Sequence, residues 1–486
     1  MSPATVVIAA LLNALSIHSS EDVLTNEWDT LENSRLDLSS RGLTLIDGDI
    51  AVRTADWLDM MASANATNVS VEDGDHQQRK GTPFIWRRWP RRTVYYDFHS
   101  SVNDRVKEII MESIAHWEER TCLVFTRRSQ VHLWYINFRT DNDGCWSLVG
   151  MEPLGPQDLN IGPGCEHTSV VIHEIGHAIG FYHEQSRMDR DGSILILWEN
   201  VPRDRASQFA QTLENSRNVP YDVTSVMQYS QGAFSAQRFE KNTIVTLDPH
   251  LQLRLGGDGV LSFRDRKLAN LMYSCPDLCP NRRSGQCEND GFLFQPSGAS
   301  DEEPCKCVCP PNTAGERCEE LRGKYYGDPV CGGNVTTAGE VIETPGFPNR
   351  DVDYKGCTWW IQAPVGQVPR LTFEEFSIEP RLQLPEEHPA SAYNGQCARE
   401  RLEVRTRDRY HGKMYCGNEI KPNETMTAQT PDMVLIMGAK RTNTGKGFRA
   451  RVDFVDKASG LGEIANAIAN VIGTAQNFVE AQMSGR

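Results

Sequence analysis

The sequence predicts a multidomain protein in which an α+β domain is followed by a small disulfide-rich module and an all-β sandwich. Its 486 residues exceed what one hydrophobic core normally supports. Its 14 cysteines fall into sets of four, six and four along the chain, which indicates three separately bridged modules in an oxidising compartment. The spacing of apolar residues also changes, from mixed helical and strand periods before Cys275 to period-two runs after Cys331.

The N-terminal region contains no cysteine and predicts two segments that precede the folded domains. Residues 1–16 include an apolar run that is too short to span a bilayer and is typical of a cleaved secretory signal peptide, with a buried helix as the alternative. Residues 17–80 are polar and predict a loosely folded pro-segment that ends in a cleavable loop. We therefore expect a secreted, extracellular protein without a membrane span. Sequons predict glycosylation at Asn65, Asn68, Asn334 and Asn423.

Residues 81–275 mix helix and strand patterns and form the predicted α+β domain. WPRRTVYYDF at 89–98 alternates like a strand, residues 104–120 have helical spacing, and VHLWYINF at 131–138 reads as a further strand. Residues 276–320 hold six cysteines and few apolar residues, so this module depends on disulfides. Residues 331–456 alternate with period two and predict the sandwich. Residues 457–486 predict an amphipathic helix that packs on its own domain or on a partner.

The overall charge argues against one class of partner. The chain has 65 acidic against 50 basic residues and a net charge of −15. Nonspecific binding to nucleic acid depends on basic surfaces. We therefore expect no nucleic-acid partner.

A metal site is predicted by HEIGHAIGFYH, residues 173–183. His173 and His177 are four residues apart, so on a helix both rings project from one face and reach one zinc ion. Glu174 lies beside the metal, where a base for water is needed. Gly180 can end the helix in a left-handed conformation and let the chain return with His183. Three histidines and an open position define a catalytic zinc site.

These residues resemble the zinc signature of the astacin family, and SVMQY at 225–229 is similar to the family's Met-turn. The resemblance implies a metzincin-type, astacin-like α+β catalytic domain with its zinc cleft between two lobes. It implies one zinc ion bound by His173, His177 and His183. It also implies that Glu174 is the general base and that Tyr229 is a mobile ligand which stabilises the oxyanion. Met227 would be the methionine beneath the zinc.

The resemblance also implies that the chain is made as a latent precursor. LIDGDI at 45–50 is similar to a pro-segment motif whose aspartate, here Asp49, binds the zinc in place of water. An activating protease is expected to cut after Lys80, which would make Gly81 the new N-terminal residue, or after Arg79. In the family that terminus contacts the glutamate after the third zinc histidine, here Glu184.

Two C-terminal modules resemble known domains. The stretch CKCVCPPNTAGERC is similar to an EGF-like domain, and the stretches CGG, CTWWI, YCG and KGFRARVDF are similar to a CUB domain. Six cysteines alone allow 15 connectivities. For the whole chain the resemblance implies seven bridges, namely Cys122–Cys275, Cys145–Cys165, Cys279–Cys305, Cys287–Cys307, Cys309–Cys318, Cys331–Cys357 and Cys397–Cys416.

The sequence thus predicts a secreted zinc endopeptidase that hydrolyses extracellular, matrix or cuticle proteins. The alternative is a catalytically inactive binding or adhesion protein that acts through its EGF-like and CUB modules. Loss of Glu174, of a zinc histidine or of Tyr229 would favour the alternative, and all of them are present.

Overall fold

The computed structural model describes residues 38, 43–53, 81–82, 84–212, 216–280, 286–295, 305–329, 331–350, 352–438 and 445–457. The predicted signal peptide, Asn65, Asn68, Lys80 and nearly all of the C-terminal tail lie outside these residues. The chain divides into two compact units. The first comprises the chain up to Val330 together with Pro380–Glu400, and the second comprises Cys331–Glu379 and the chain from Arg401 onward.

The first unit contains a seven-stranded sheet whose strands lie in the order β1-β2-β6-β7-β5-β3-β4. Its strands are β1 (Leu43–Ile46), β2 (Ile50–Arg53), β3 (Thr93–Phe98), β4 (Val124–Arg127), β5 (Ile136–Arg139), β6 (Cys145–Leu148) and β7 (Gln157–Ile161). A smaller sheet pairs β8 (Ile194–Ile196) with β9 (Ile244–Thr246). The helices of this unit are α1 (Asp104–Glu118), α2 (Thr168–Ala178) and α3 (Phe263–Met272).

Helices α1 and α2 pack together in the core of this unit. Val106, Ile110, Ile114 and Trp117 form the buried face of α1, as the helical spacing predicts. Asn103 caps α1 by accepting a hydrogen bond from the Val106 amide at 3.0 Å. The indole of Trp117 donates to the Ile172 carbonyl at 3.1 Å and so fixes α2 against α1.

The strand prediction for residues 131–138 is wrong over its first half. Strand β5 begins only at Ile136. Val131 is 80% exposed and Leu133 is 65% exposed, so no face of this stretch packs on the core. The Ser129 amide donates to the His132 ring at 3.0 Å, which makes the segment a turn.

Residues 43–53 of the predicted pro-segment are part of the same sheet. Strands β1 and β2 form a hairpin, and β2 pairs in parallel with β6 through Ile50 opposite Ser147 and Ala51 opposite Leu148. The hairpin therefore covers the edge of the sheet at β6. Ile50 and Ala51 are buried there.

The disulfide-rich module continues the first unit as two short hairpins. They pair β10 (Phe292–Phe294) with β11 (Lys306–Val308) and β12 (Thr313–Ala314) with β13 (Glu320–Leu321). Disulfides join Cys279–Cys305, Cys287–Cys307 and Cys309–Cys318 in this module, and Cys122–Cys275 and Cys145–Cys165 in the preceding domain.

The second unit is an all-β sandwich, as its period-two pattern predicts. One sheet has the order β14-β16-β21-β18-β19 and the other has the order β15-β22-β17-β20. The strands are β14 (Gly332–Val335), β15 (Val341–Glu343), β16 (Cys357–Gln362), β17 (Gln367–Ser377), β18 (Leu402–Arg405), β19 (Lys413–Tyr415), β20 (Thr425–Thr427), β21 (Asp432–Met437) and β22 (Gly447–Asp456). Trp359 contacts Phe448 at 5.1 Å between ring centroids, so the sheets pack face to face.

Cysteines and sequons of the region 331–457 agree with an extracellular module. A disulfide joins Cys331 to Cys357, and Cys397 and Cys416 are also disulfide-bonded. Asn334 and Asn423 are both exposed. Among the helices that the structure describes, none is long and apolar enough to cross a membrane.

The segment Pro380–Glu400 lies within the predicted sandwich range but belongs to the first unit. Arg381 Nη1 lies 2.6 Å from Glu240 Oε1, and the Cys397 amide donates to the same oxygen at 2.8 Å. Phe239 packs edge-on against Tyr393 at 5.0 Å. Sequence periodicity does not reveal this arrangement, because it depends on contacts between residues that are far apart in the chain.

Candidate active site

Helix α2 positions the first two predicted ligands. Every residue from Ser169 to Ala178 is buried, because the helix is apolar around most of its circumference and runs through the core. His173 and His177 are 1% and 0% exposed. Their rings meet edge to face with centroids 4.7 Å apart, as spacing i and i+4 predicts.

A glycine turn brings the third histidine back to the helix. Gly180 has φ +110°, a conformation that side chains disfavour. A Cβ atom at Gly180 would also lie 2.9 Å from Thr82 Cγ2, so the position has no room for one. After this turn His183 is fully buried, with its ring centroid 4.7 Å from that of His177.

Three imidazoles and one carboxylate converge on a single point. His173 Nε2 lies 3.0 Å from His177 Nε2 and 3.3 Å from His183 Nε2. The Asp49 carboxylate lies 3.2, 3.4 and 3.1 Å from Nε2 of His173, His177 and His183 respectively. These atoms all lie within 4.8 Å of one another.

The hydrogen bonds of the histidine rings indicate which kind of ion this cluster can bind. His173 Nδ1 lies 2.7 Å from the Val226 carbonyl and His177 Nδ1 lies 2.8 Å from the Phe181 carbonyl, and a carbonyl only accepts. Both Nδ1 atoms therefore carry a proton, and the Nε2 of each ring, when the ring is neutral, offers its lone pair to the cluster. Both Asp49 oxygens lack a hydrogen-bond donor among the described residues. Converging lone pairs and a buried anion fit a cation, and a histidine and carboxylate donor set fits zinc.

Glu174 is a buried carboxylate beside this cluster. It is 0% exposed, and neither of its oxygens has a hydrogen-bond partner among the described residues. Burial raises the pKa of Glu174 well above its usual value, and the charge of Asp49 raises it further. A carboxylate in such a position can hold or accept a proton next to a metal.

The Met-turn is anchored by helix α3. Ser225 Oγ donates to Asp265 Oδ1 at 2.6 Å, and the Val226 amide donates to Asp265 Oδ2 at 2.8 Å. Met227 is fully buried, and a Cβ atom at Gly176 would lie 2.8 Å from its sulfur. The methionine therefore packs directly on α2 between the two ligand histidines, and Gly176 makes room for it.

The hydroxyl of Tyr229 donates to the backbone carbonyl of Asp47 in the pro-segment. Its ring lies 4.5 Å from that of His183 and 5.5 Å from that of Phe234. The Tyr229 amide donates to Gln185 Oε1 at 3.1 Å, which fixes the backbone while the side chain reaches the cluster. Tyr229 is thus brought to the site together with the histidines.

Asp47 is a site residue that sequence reasoning missed. It lies at the hairpin tip with φ 47° and is 4% exposed. Ser186 Oγ donates to its Oδ2 at 2.9 Å. Burial raises the pKa of Asp47 to about 7. The signal that could have indicated it is the doublet Asp-Gly-Asp, in which both carboxylates enter the site.

Glu184 is buried in a network behind the histidines. Its Oε1 accepts from the Asp222 amide at 2.6 Å and lies 3.2 Å from Arg187 Nη1. Arg187 is itself fully buried and pairs with Asp189 at 2.6 Å. Arg187 and Asp189 were not singled out in the sequence, although the alternating charges of RMDRD could have indicated a buried ion-pair network.

The residues that follow the predicted cleavage site lie close to this network. Gly81 forms a β-bridge with Phe181, three residues before Glu184, and the Thr82 amide donates to the Gly180 carbonyl at 2.7 Å. Lys80, the predicted cleavage residue, lies outside the described residues.

Comparison with known families gives two matches. The astacin peptidase family matches residues 81–274, and the CUB domain family matches residues 331–452. The first match contains all three histidines, Glu174 and Tyr229. The second covers the sandwich.

Individual relatives extend the similarity over most of the chain. Blastula protease 10 of Paracentrotus lividus is 34% identical over 407 residues, which cover 81% of this chain and 63% of that protein. Zinc metalloproteinase dpy-31 of Caenorhabditis elegans is 32% identical over 444 residues, which cover 89% of this chain and 69% of that protein. The chain therefore spans less than two thirds of the length of blastula protease 10 and slightly more than two thirds of the length of dpy-31. High choriolytic enzyme 1, a hatching enzyme zinc-protease from Oryzias latipes, is 30% identical with a TM-score of 0.36, over 39% of this chain and 93% of that one.

Three buried histidines, the Asp49 carboxylate and a helix-borne glutamate fit a zinc centre. The chain belongs to the astacin family.

Proposed function

We propose that the protein is a secreted zinc endopeptidase that is synthesised as a zymogen and hydrolyses extracellular proteins. The observation that carries this proposal is the convergence of three buried imidazoles and the Asp49 carboxylate within 4.8 Å. The matched relatives are named as proteases, and the disulfides support an oxidising compartment. Matrix and cuticle proteins fit as substrates, and a protease that cuts after basic residues fits as the activator.

His173, His177 and His183 would hold the zinc, which when bound polarises a scissile carbonyl and lowers the pKa of water to about 7. Glu174 has its proton-accepting oxygens beside the cluster, so it takes a proton from the attacking water and delivers it to the leaving amine. Tyr229 donates a hydrogen bond to the oxyanion of the tetrahedral intermediate once its hydroxyl is free of Asp47.

The pro-segment accounts for latency in two ways. Asp49 occupies the position on the histidine cluster that the substrate carbonyl and water need. The Asp47 carbonyl accepts the hydrogen bond of Tyr229 and so withdraws this hydroxyl from catalysis. Removal of one hairpin therefore frees the open coordination position and the oxyanion donor together.

A hydrolysis assay tests the proposal on the full chain before and after cleavage at Lys80. The cut chain should hydrolyse a fluorogenic peptide, a zinc chelator should abolish this, and added zinc should restore it. Glu174→Gln should retain one zinc per chain while the rate falls by about 10² to 10⁴. A cut chain that binds zinc and hydrolyses no peptide or protein would instead favour the binding-protein alternative.

A further inference from the structure

The pro-segment continues beyond Asp49 along the sheet edge at β6. Strand β2 pairs in parallel with β6, and the Ser147 amide donates to the Asp49 carbonyl at 3.0 Å. An extended peptide that adds to a sheet edge gains affinity from such main-chain bonds and specificity from pockets for its side chains. The side chains of β2 therefore indicate which pockets this edge offers to an extended chain.

Arg53 ends this strand and reaches a buried carboxylate. It lies four residues after Asp49, which corresponds to about 13 Å at the rise of a β-strand. Arg53 Nε lies 3.2 Å from Glu152 Oε2, and the Glu152 side chain is 2% exposed. A second cation, Arg87 Nη1 of the mature domain, lies 3.5 Å from the same oxygen. Cleavage of the pro-segment thus removes one of the two guanidinium groups that this carboxylate faces.

The two oxygens of Glu152 have different surroundings. Glu152 Oε1 accepts from the Leu154 amide at 3.3 Å, and the Glu152 amide donates to Gln157 Oε1 at 2.8 Å. These two bonds stabilise the turn that contains Glu152. Oε2 faces the two guanidinium groups instead. The hydrogen bond of Oε1 and the ion pair with Arg87 would be enough for a purely structural role. Oε2 also contacts Arg53, a cation that leaves with the pro-segment.

We propose that Glu152 forms a substrate-binding subsite for an arginine or lysine side chain, about 13 Å from the histidine cluster along β6. Arg53 occupies this subsite in the intact chain, and a basic side chain of the substrate occupies it after activation. The subsite rests on the proposed peptidase function and adds a substrate preference to it. Arginine is favoured over lysine, because a guanidinium group, that of Arg53, is the cation beside Glu152 Oε2 in the intact chain.

A pair of peptides tests the preference with the full chain after cleavage at Lys80. The peptides differ only in Arg or Gln, placed three or four residues from the scissile bond on either side. At one of these positions the Arg peptide should have a kcat/KM about tenfold higher, because its guanidinium group forms the ion pair with Glu152 that Arg53 forms in the intact chain. In Glu152→Gln the ratio of the two peptides should fall to near one. Glu108→Gln, which removes an exposed charge on α1, should retain the ratio.

A binding cycle tests the same subsite without hydrolysis. The peptide LTLIDGDIAVR, residues 43–53, is titrated against the cut chain freed of its pro-segment, by calorimetry. Replacing Arg53 by Gln in the peptide should weaken binding about tenfold to the wild-type protein and not at all to Glu152→Gln.

The outcomes separate the subsite from the peptidase function. An equal loss of peptide affinity in both proteins, or equal Arg-to-Gln ratios in wild type and Glu152→Gln, overturns the subsite. A wild-type chain that hydrolyses neither peptide contradicts the peptidase function, and the binding cycle then still decides whether Glu152 recognises a cation.

Discussion

Replacing Asp49 by Asn should activate the uncut chain. The carboxylate is 0% exposed and lies against the three Nε2 atoms that would hold the zinc, so with zinc bound its charge forms a buried pair with the metal. An amide keeps the shape and removes the anion. Loss of one partner from a buried charged pair costs about 3 to 5 kcal/mol. This corresponds to a factor of about 10² to 4 × 10³ in the equilibrium between covered and open site.

The assay measures hydrolysis of a short peptide by intact chains, with zinc content determined on the same samples. Wild type should be inactive, and Asp49→Asn should have a substantial fraction of the activity of the cut chain. Asp47→Asn is the matched control, because that carboxylate bonds to Ser186 and not to the histidines. If Asp49→Asn holds zinc and stays as inactive as wild type while the cut chain is active, then Asp49 is not what blocks the site.

Three further predictions concern the supports of the site. Gly180→Ala forces a side chain to φ +110° and should lower the free energy of unfolding by about 1 to 3 kcal/mol, measured by chemical denaturation. Asp265→Asn weakens the anchor of the Met-turn, so both the thermal midpoint and the zinc affinity should fall, whereas an unchanged affinity would separate the turn from the metal site. The pKa of His116 is lowered to about 4, by burial first and then by Arg120. The unfolded chain therefore binds the extra proton between about pH 4 and 6.5, and stability should be lost as the pH falls through this window. His116→Gln should reduce that loss in denaturation curves at pH 5 and pH 7.5.

The parts of the site that depend on local backbone geometry could be predicted from the sequence. Helical spacing places His173 beside His177 whatever the surrounding fold, and a glycine with positive φ is a local requirement at Gly180. Met227 carries no such local signal. Its position on Gly176 was implied only by the resemblance of its motif, and it is explained by the packing of two distant segments.

The parts that depend on long-range contacts could not be predicted. Asp47 and Glu152 look like ordinary surface carboxylates in the sequence, and their roles follow from burial against residues far away in the chain. Val131 and Leu133 satisfy a strand pattern, but both side chains remain exposed to solvent. Pattern and propensity are weak where tertiary packing decides the outcome.

The most direct test of the proposed zinc centre is a crystal structure of the intact chain with zinc, with anomalous diffraction recorded at the zinc edge. We expect one anomalous peak, with the ion bound at about 2.0 to 2.2 Å by the three histidine Nε2 atoms and an Asp49 oxygen. After cleavage at Lys80 and removal of the pro-segment, we expect the same peak without the Asp49 contact. A zinc ion located elsewhere, or an intact chain in which Asp49 is not a ligand, would contradict the proposed centre.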